Sequence, residues 1–221
     1  MNIRKDSLVN GQVYHVFNRS IAKYTIFNGR GDYMRFIEML SLYRHQNFPY
    51  CYSRFKILSN DFQNQFLLGV EKENKHLVEI IAFCVMPTHF HFVLRQVSND
   101  GISKFMAKVL NSYAKYFNAE HARSGPLFEG HFKSVLIKDD IQLLHITRYV
   151  HLNPVSAGII NSPEEWEYSS YVNYLNPERP GIITPILDLK PEKYQKFVND
   201  QISCQRELSK IKALLIDNYS G

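Results

Sequence analysis

Two histidines two residues apart, His89 and His91, stand in the run Met86-Pro87-Thr88-His89-Phe90-His91-Phe92-Val93-Leu94. Side chains of a strand alternate between its faces, so both imidazoles project from one side while Phe90, Phe92 and Leu94 project from the other. At the rise of a strand the rings lie roughly 7 Å apart, close enough to hold one metal ion between their nitrogens. Taken alone, such a pair is more often two half-buried histidines bonded to neighbours than a metal site. A second group of polar residues falls in Ile141 to Asn153, just before Pro154. At about 100° per residue, Leu143, Ile146 and Val150 share one side of a helix, while His145, Tyr149 and Asn153 form a row beside it. A helix packed by the apolar stripe carries Tyr149 and Asn153 on its margin, where they can face the histidine pair. Pro154 favours an extended Asn153, which places that residue at the helix end with its side-chain oxygen free for a metal or a backbone amide. The structural alternatives are a rim tyrosine with a bonded hydroxyl, a C-terminal cap at Asn153, and helix-end or surface polarity for His145 and His151.

These groups need a scaffold, and the hydrophobic pattern supplies one. Residues 12–20 read as a first strand, 32–45 as a helix with Asp32 as its N-cap, and 80–86 with 88–95 as two strands meeting at Pro87. Ile102, Phe105, Met106, Val109, Leu110, Tyr113 and Phe117 then repeat at the period of a helix lying on a sheet. Residues 125–137 form a fourth strand region interrupted at Gly130, after which Asp139 or Asp140 can cap a helix. This order predicts an α+β fold with a ferredoxin-like split βαββαβ antiparallel sheet, both helices on one face and the histidine face left for the next segment. The expected organisation is a domain over 1–176 with an irregular insertion at 46–76, a linker at 177–190, and a helical C-terminal extension at 191–221.

The chain has 221 residues, 45% of them hydrophobic, enough for one good core. Three cysteines, Cys51, Cys84 and Cys204, are an odd number without short spacing, which argues against a disulfide framework or a zinc ribbon. The polar N-terminus and the lack of a bilayer-length apolar stretch lead us to expect a cytoplasmic protein with no membrane partner. A net charge of +5 and a pI of about 9.0 favour polyanions. Arg19, Arg95, Lys133 and Arg148 are candidate phosphate contacts. Lys104, Lys108 and Lys115, off the apolar stripe of their helix, present either a solvated or a phosphate-binding surface.

Three ordered blocks carry a resemblance: Met86 to Leu94, Leu127-Phe128-Glu129-Gly130-His131-Phe132-Lys133-Ser134, and Tyr149-Val150-His151-Leu152-Asn153-Pro154-Val155-Ser156-Ala157-Gly158. Together they resemble the signature blocks of the REP-associated tyrosine transposases, members of the HUH single-strand transposase group, over roughly residues 10 to 175. The resemblance implies that His89 and His91 bind a divalent metal, Mg²⁺ or Mn²⁺, that Tyr149 is the nucleophile, and that Asn153 is a third, polar ligand. It further implies nicking and joining of single-stranded, hairpin-forming DNA through a 5′-phosphotyrosine. Ser156 departs from the arginine that many relatives carry after Asn-Pro-Val, which puts one of the family's phosphate contacts, though not the chemistry, in doubt.

The chemistry is consistent with these residue types, because a phenolate attacking phosphorus conserves the energy of the broken bond and a nearby cation can offset its high pKa. Two histidines alone suit Zn²⁺ equally well. The competing expectations are a catalytically silent, domesticated hairpin-binding protein and a zinc hydrolase unrelated to DNA. A monomer or a homodimer fits the sequence, with the tyrosine acting in its own subunit or in a neighbour.

Overall fold

The computed structural model describes residues 7–179, 181–184 and 189–204. Four strands, β1 (Val13–Arg19), β2 (Val78–Met86), β3 (His89–Gln96) and β4 (Lys133–Ile137), form one antiparallel sheet in the order β2-β3-β1-β4. Helix α1 (Arg30–Tyr43) joins β1 to β2, and helix α4 (Gly101–Glu120) joins β3 to β4. This is the predicted split βαββαβ arrangement.

Period-two alternation sorts the strands onto two cores. Tyr14 and Val16 of β1 and Phe90, Phe92 and Leu94 of β3 are buried with Phe36 and Leu40 of α1 and Phe105, Val109 and Tyr113 of α4. Ala82, Cys84 and Met86 of β2 and Val93 of β3 point the other way, under helix α5 (Asp140–Ser156), helix α6 (Tyr171–Leu175) and helix α7 (Pro191–Asn199). A register shift between Ile80 and Ala82 marks a bulge; it leaves Ile80 in the first core and lets Ile81 join the second.

Several local expectations differ from what forms. Helix α1 begins at Arg30, so Asp32 lies in its first turn rather than at the N-cap, where its carboxylate accepts from the Asn28 amide at 2.9 Å. The insertion is more regular than its sequence pattern: it holds α2 (Tyr52–Lys56) and α3 (Asn60–Glu73), packed through Phe48, Tyr50, Phe55 and Phe66. Helix α5 continues through Pro154 to Ser156, so Asn153 lies inside the helix and not at its end. Pro154 forfeits only the bond to Val150 near the last turn, and its own carbonyl accepts from the Ile159 amide at 3.0 Å.

The outer edge of β2 is covered. Val85 donates to Tyr168, Ser170 to Phe83 and Thr184 to Ile80, each through the backbone, and the Trp166 indole donates to the Val85 carbonyl at 3.0 Å. Part of the expected linker, at 181–184, thus runs along the sheet. Tyr194 and Val198 of α7 are buried in the second core. Pro180 and Pro185 of the linker, and Ile211, Leu214 and Leu215 of the C-terminal extension, lie outside the described residues.

Candidate functional site

The paired registers of β1 and β3 assemble the site. Phe17 lies opposite His91 and Arg19 opposite His89. Because His15, Phe17 and Arg19 alternate with the buried Tyr14 and Val16, all three share the face that carries the two histidines. His15 was not singled out from the sequence, yet its Nε2 lies 2.9 Å from Nδ1 of His91, with the rings stacked at 5.1 Å. The signal was available in the alternation of residues 13–19.

His89 and His91 have ring centroids 5.2 Å apart at 89°. Nδ1 of His89 sits 3.0 Å from the Thr88 hydroxyl, so the Nδ1 atom of each ring of the pair is engaged within the chain and Nε2 of each is the position left for a ligand. Burial lowers the pKa of both rings, helped by Arg19 at His89 and by the neighbouring imidazoles at His91. Burial likewise pushes His15 down to about 4. At neutral pH these rings are therefore uncharged, the form that can donate a lone pair.

Tyr149, in the third turn of α5, stands edge-on over this group. Its ring is 5.4 Å from that of His91 at 81° and 5.9 Å from that of His15 at 82°. The side chain is 40% exposed. Partial burial raises its pKa, and a hydrogen bond with the Asn153 side chain opposes that rise. The Asn153 amide nitrogen donates to the Tyr149 carbonyl at 2.9 Å, which fixes the side chain one turn below the phenol.

Beside the histidines is a cavity lined by Phe17, Asn18, Arg19, Lys23, Thr88, His89, His91, Glu129 and Lys133. Arg19 and Lys133 were predicted contacts; Lys23, in a turn with φ of +54°, was not. Arg19 pairs with Glu129 at 2.5 Å while more than half of its side chain stays exposed. The other predicted cations are elsewhere. Arg95 pairs with Glu79 at 2.8 Å toward the far end of β3. Lys104 and Lys108 donate to the Asn99 and Phe48 carbonyls on the α4 side, and Lys115 lines a separate cavity there. Arg148 lies over the Phe197 ring at 4.1 Å and bonds His145 at 2.9 Å.

His151 overturns its expected surface position. It is fully buried, with Nδ1 2.6 Å from the Tyr194 hydroxyl and Nε2 2.7 Å from the Ser170 hydroxyl, and burial drives its pKa to about 3. It ties α5 to α6 and α7.

A ferredoxin-like sheet carrying a His-x-His pair on the face away from α1 and α4, with a helix-borne tyrosine above, defines a class of architecture to which the comparisons add a family. The family described as "Transposase IS200 like" matches residues 9–153, and the chain belongs to that family. Within it, the chain is 26% identical over 129 residues to a Haemophilus influenzae (strain Rd) protein assigned to the REP-associated tyrosine transposases, covering 53% of this chain and 73% of that one. Its fold is similar to a REP-associated tyrosine transposase solved bound to a REP hairpin, with a TM-score of 0.54 and 14% identity over 86% of this chain and 95% of the other. The chain is thus a member of the IS200-like transposase family and is similar in sequence to a relative named as a REP-associated tyrosine transposase. No helix among the described residues is long and apolar enough to cross a membrane.

Proposed function

We propose that this protein cleaves and rejoins single-stranded DNA next to a hairpin, with Tyr149 as the nucleophile and His89, His91 and Asn153 as metal ligands. The observation that carries the reading is the Tyr149 ring standing 5.4 Å from the His91 ring within one chain, beside a cavity bordered by Arg19, Lys23 and Lys133. The solved relative bound to a REP hairpin supports this class of substrate.

The donor set suits the cation. Two imidazole nitrogens and an amide oxygen match Mn²⁺ better than Mg²⁺, and a bound divalent ion would offset charge on the scissile phosphate. The chain's own residues do the rest. The Tyr149 oxygen forms a bond to phosphorus as the bond to the 3′ oxygen breaks, leaving a 5′-phosphotyrosine and a 3′-hydroxyl. The phenol loses one proton and the 3′ oxygen gains one. Bond energy is kept in the phosphotyrosine, so the reverse reaction joins strands. Arg19 and Lys133 hold the flanking phosphates, and Phe17 offers a ring for an unstacked base. Because the raised pKa of Tyr149 leaves the phenol protonated at neutral pH, the rate should climb with pH in the neutral to alkaline range.

The test is incubation with a radiolabelled hairpin carrying a single-stranded flank, with Mn²⁺. A covalent protein–DNA band is expected, absent in Tyr149→Phe. Tight binding with no cleavage under any divalent ion would instead identify a silent hairpin-binding protein, and full cleavage by Tyr149→Phe would remove Tyr149 from the mechanism.

A further inference from the structure

We propose a second metal site, for Zn²⁺, formed by His45, Glu71 and His76 at the base of the 46–76 insertion. One ring nitrogen of each histidine and one carboxylate oxygen lie within 4.8 Å of one another, the only such group of three His, Cys, Asp or Glu side chains among the described residues. It is separate from the histidine pair at the Pro87–Thr88 turn: β2 runs from Val78 to Met86 between them, eight steps or ~27 Å of strand. The inference therefore stands independently of the function proposed above.

The backbone fixes the placement. His45 and His76 face each other across an antiparallel bridge, with Gln46 donating to Lys75 at 2.9 Å and Leu77 to Arg44 at 2.7 Å. Their rings are 4.9 Å apart. Glu71, in the last turn of α3, brings a carboxylate oxygen to 3.4 Å from Nε2 of His45. His45 is only 1% exposed, and its Nδ1 and the buried Nε2 of His76 have no hydrogen-bond partner in the structure. An unpartnered buried imidazole nitrogen is costly without a ligand, and a cation at Nε2 of His76 supplies one.

Two nitrogens and a carboxylate oxygen are a zinc donor set, with water completing a tetrahedron, whereas Mg²⁺ and Ca²⁺ prefer oxygen alone. Tetrahedral ligands stand ~3.3 Å apart, and the half-exposed Glu71 side chain is free to close the remaining gap. Arg44 opposes a dication here, since its guanidinium is part of the group. It also binds one Glu71 oxygen at 2.7 Å and the Ile182 carbonyl at 3.1 Å, which orients the carboxylate and keeps the two positive charges on either side of it. Bound zinc would clamp both ends of the insertion, joining the residue after α1, the end of α3 and the approach to β2.

The experiment uses the full chain with His89→Ala and His91→Ala, which removes the other histidine pair, dialysed against Zn²⁺ and assayed by elemental analysis. One zinc per chain is expected, lost on adding His76→Ala and, in a variant confined to an exposed side chain, on adding Glu71→Gln. Zinc should also slow proteolysis within residues 46–76. A folded His89→Ala/His91→Ala protein that retains no zinc overturns the proposal, as does zinc retention unchanged by both further substitutions.

Discussion

On the α1 and α4 face of the sheet, Phe36, Phe90, Phe92, Phe105, Tyr113 and Phe117 fill the space with rings, whereas on the opposite face the polar side chains of His15, His91, Thr147, His151, Ser169 and Ser170 are buried alongside apolar and tyrosine neighbours. The first face gains most of its stability from excluded water, at ~1.5–3 kcal/mol for each large side chain. The second must satisfy each polar group it buries, and its histidines do so by bonding one another, Tyr194 and Ser170. A sheet divided this way can hold chemical groups rigidly on one side because the other side needs none.

Substitutions on the two faces should therefore separate stability from activity. The largest effect belongs to the polar face: His91→Ala should lower phosphotyrosine formation on the order of 10²–10³-fold, with a thermal midpoint close to that of the parent, checked by adduct assay beside calorimetry. On the aromatic face, Phe92→Ala should cost ~3–5 kcal/mol in urea unfolding while the remaining folded fraction keeps its metal affinity. An equal activity loss per folded molecule in both variants would erase the distinction.

A smaller effect concerns pH. The folded pKa of His151, about 3, lies below the ordinary value of 6.5, so its contribution is present above pH 6.5 and is lost as pH falls toward 3. By pH 5 the loss relative to alkaline pH amounts to about 2 kcal/mol, and His151→Gln, which cannot titrate, should flatten that part of the urea-derived stability profile. The smallest effect expected is for Lys133→Ala: hairpin affinity drops modestly, and the slope of log affinity against log salt shrinks by about one. An unchanged slope would take Lys133 out of phosphate binding.

The aromatic face was the more legible of the two in the sequence. The α4 stripe and the alternation of Phe90, Phe92 and Leu94 are strongly periodic, and all but Leu110 of those residues are fully buried. The polar face was harder because its residues look like surface. His151 reads as helix-end polarity until Tyr194, more than forty positions away, is known to meet it. His15 was hidden in plain alternation, since a lone histidine in a strand invites no comment without its partner at His91. Helix α3 escaped because only Val70 of its fourteen residues is fully buried, leaving little periodic signal. Asn153 was placed at a helix end by a proline whose cost is small in a final turn.

The unequal treatment of the sheet's two borders has a consequence for self-association. Trp166 to Ser170 together with Ile183 and Thr184 seal β2, while nothing among the described residues pairs with the outer side of β4, whose Val135 is exposed to solvent. Joining of copies by strand addition at the described sheet would then run β4 against β4, and each copy would spend the one uncovered border of that sheet in doing so. Such growth would stop at a closed pair with an eight-stranded sheet, since the described residues leave fibril-like propagation no second border from which to continue.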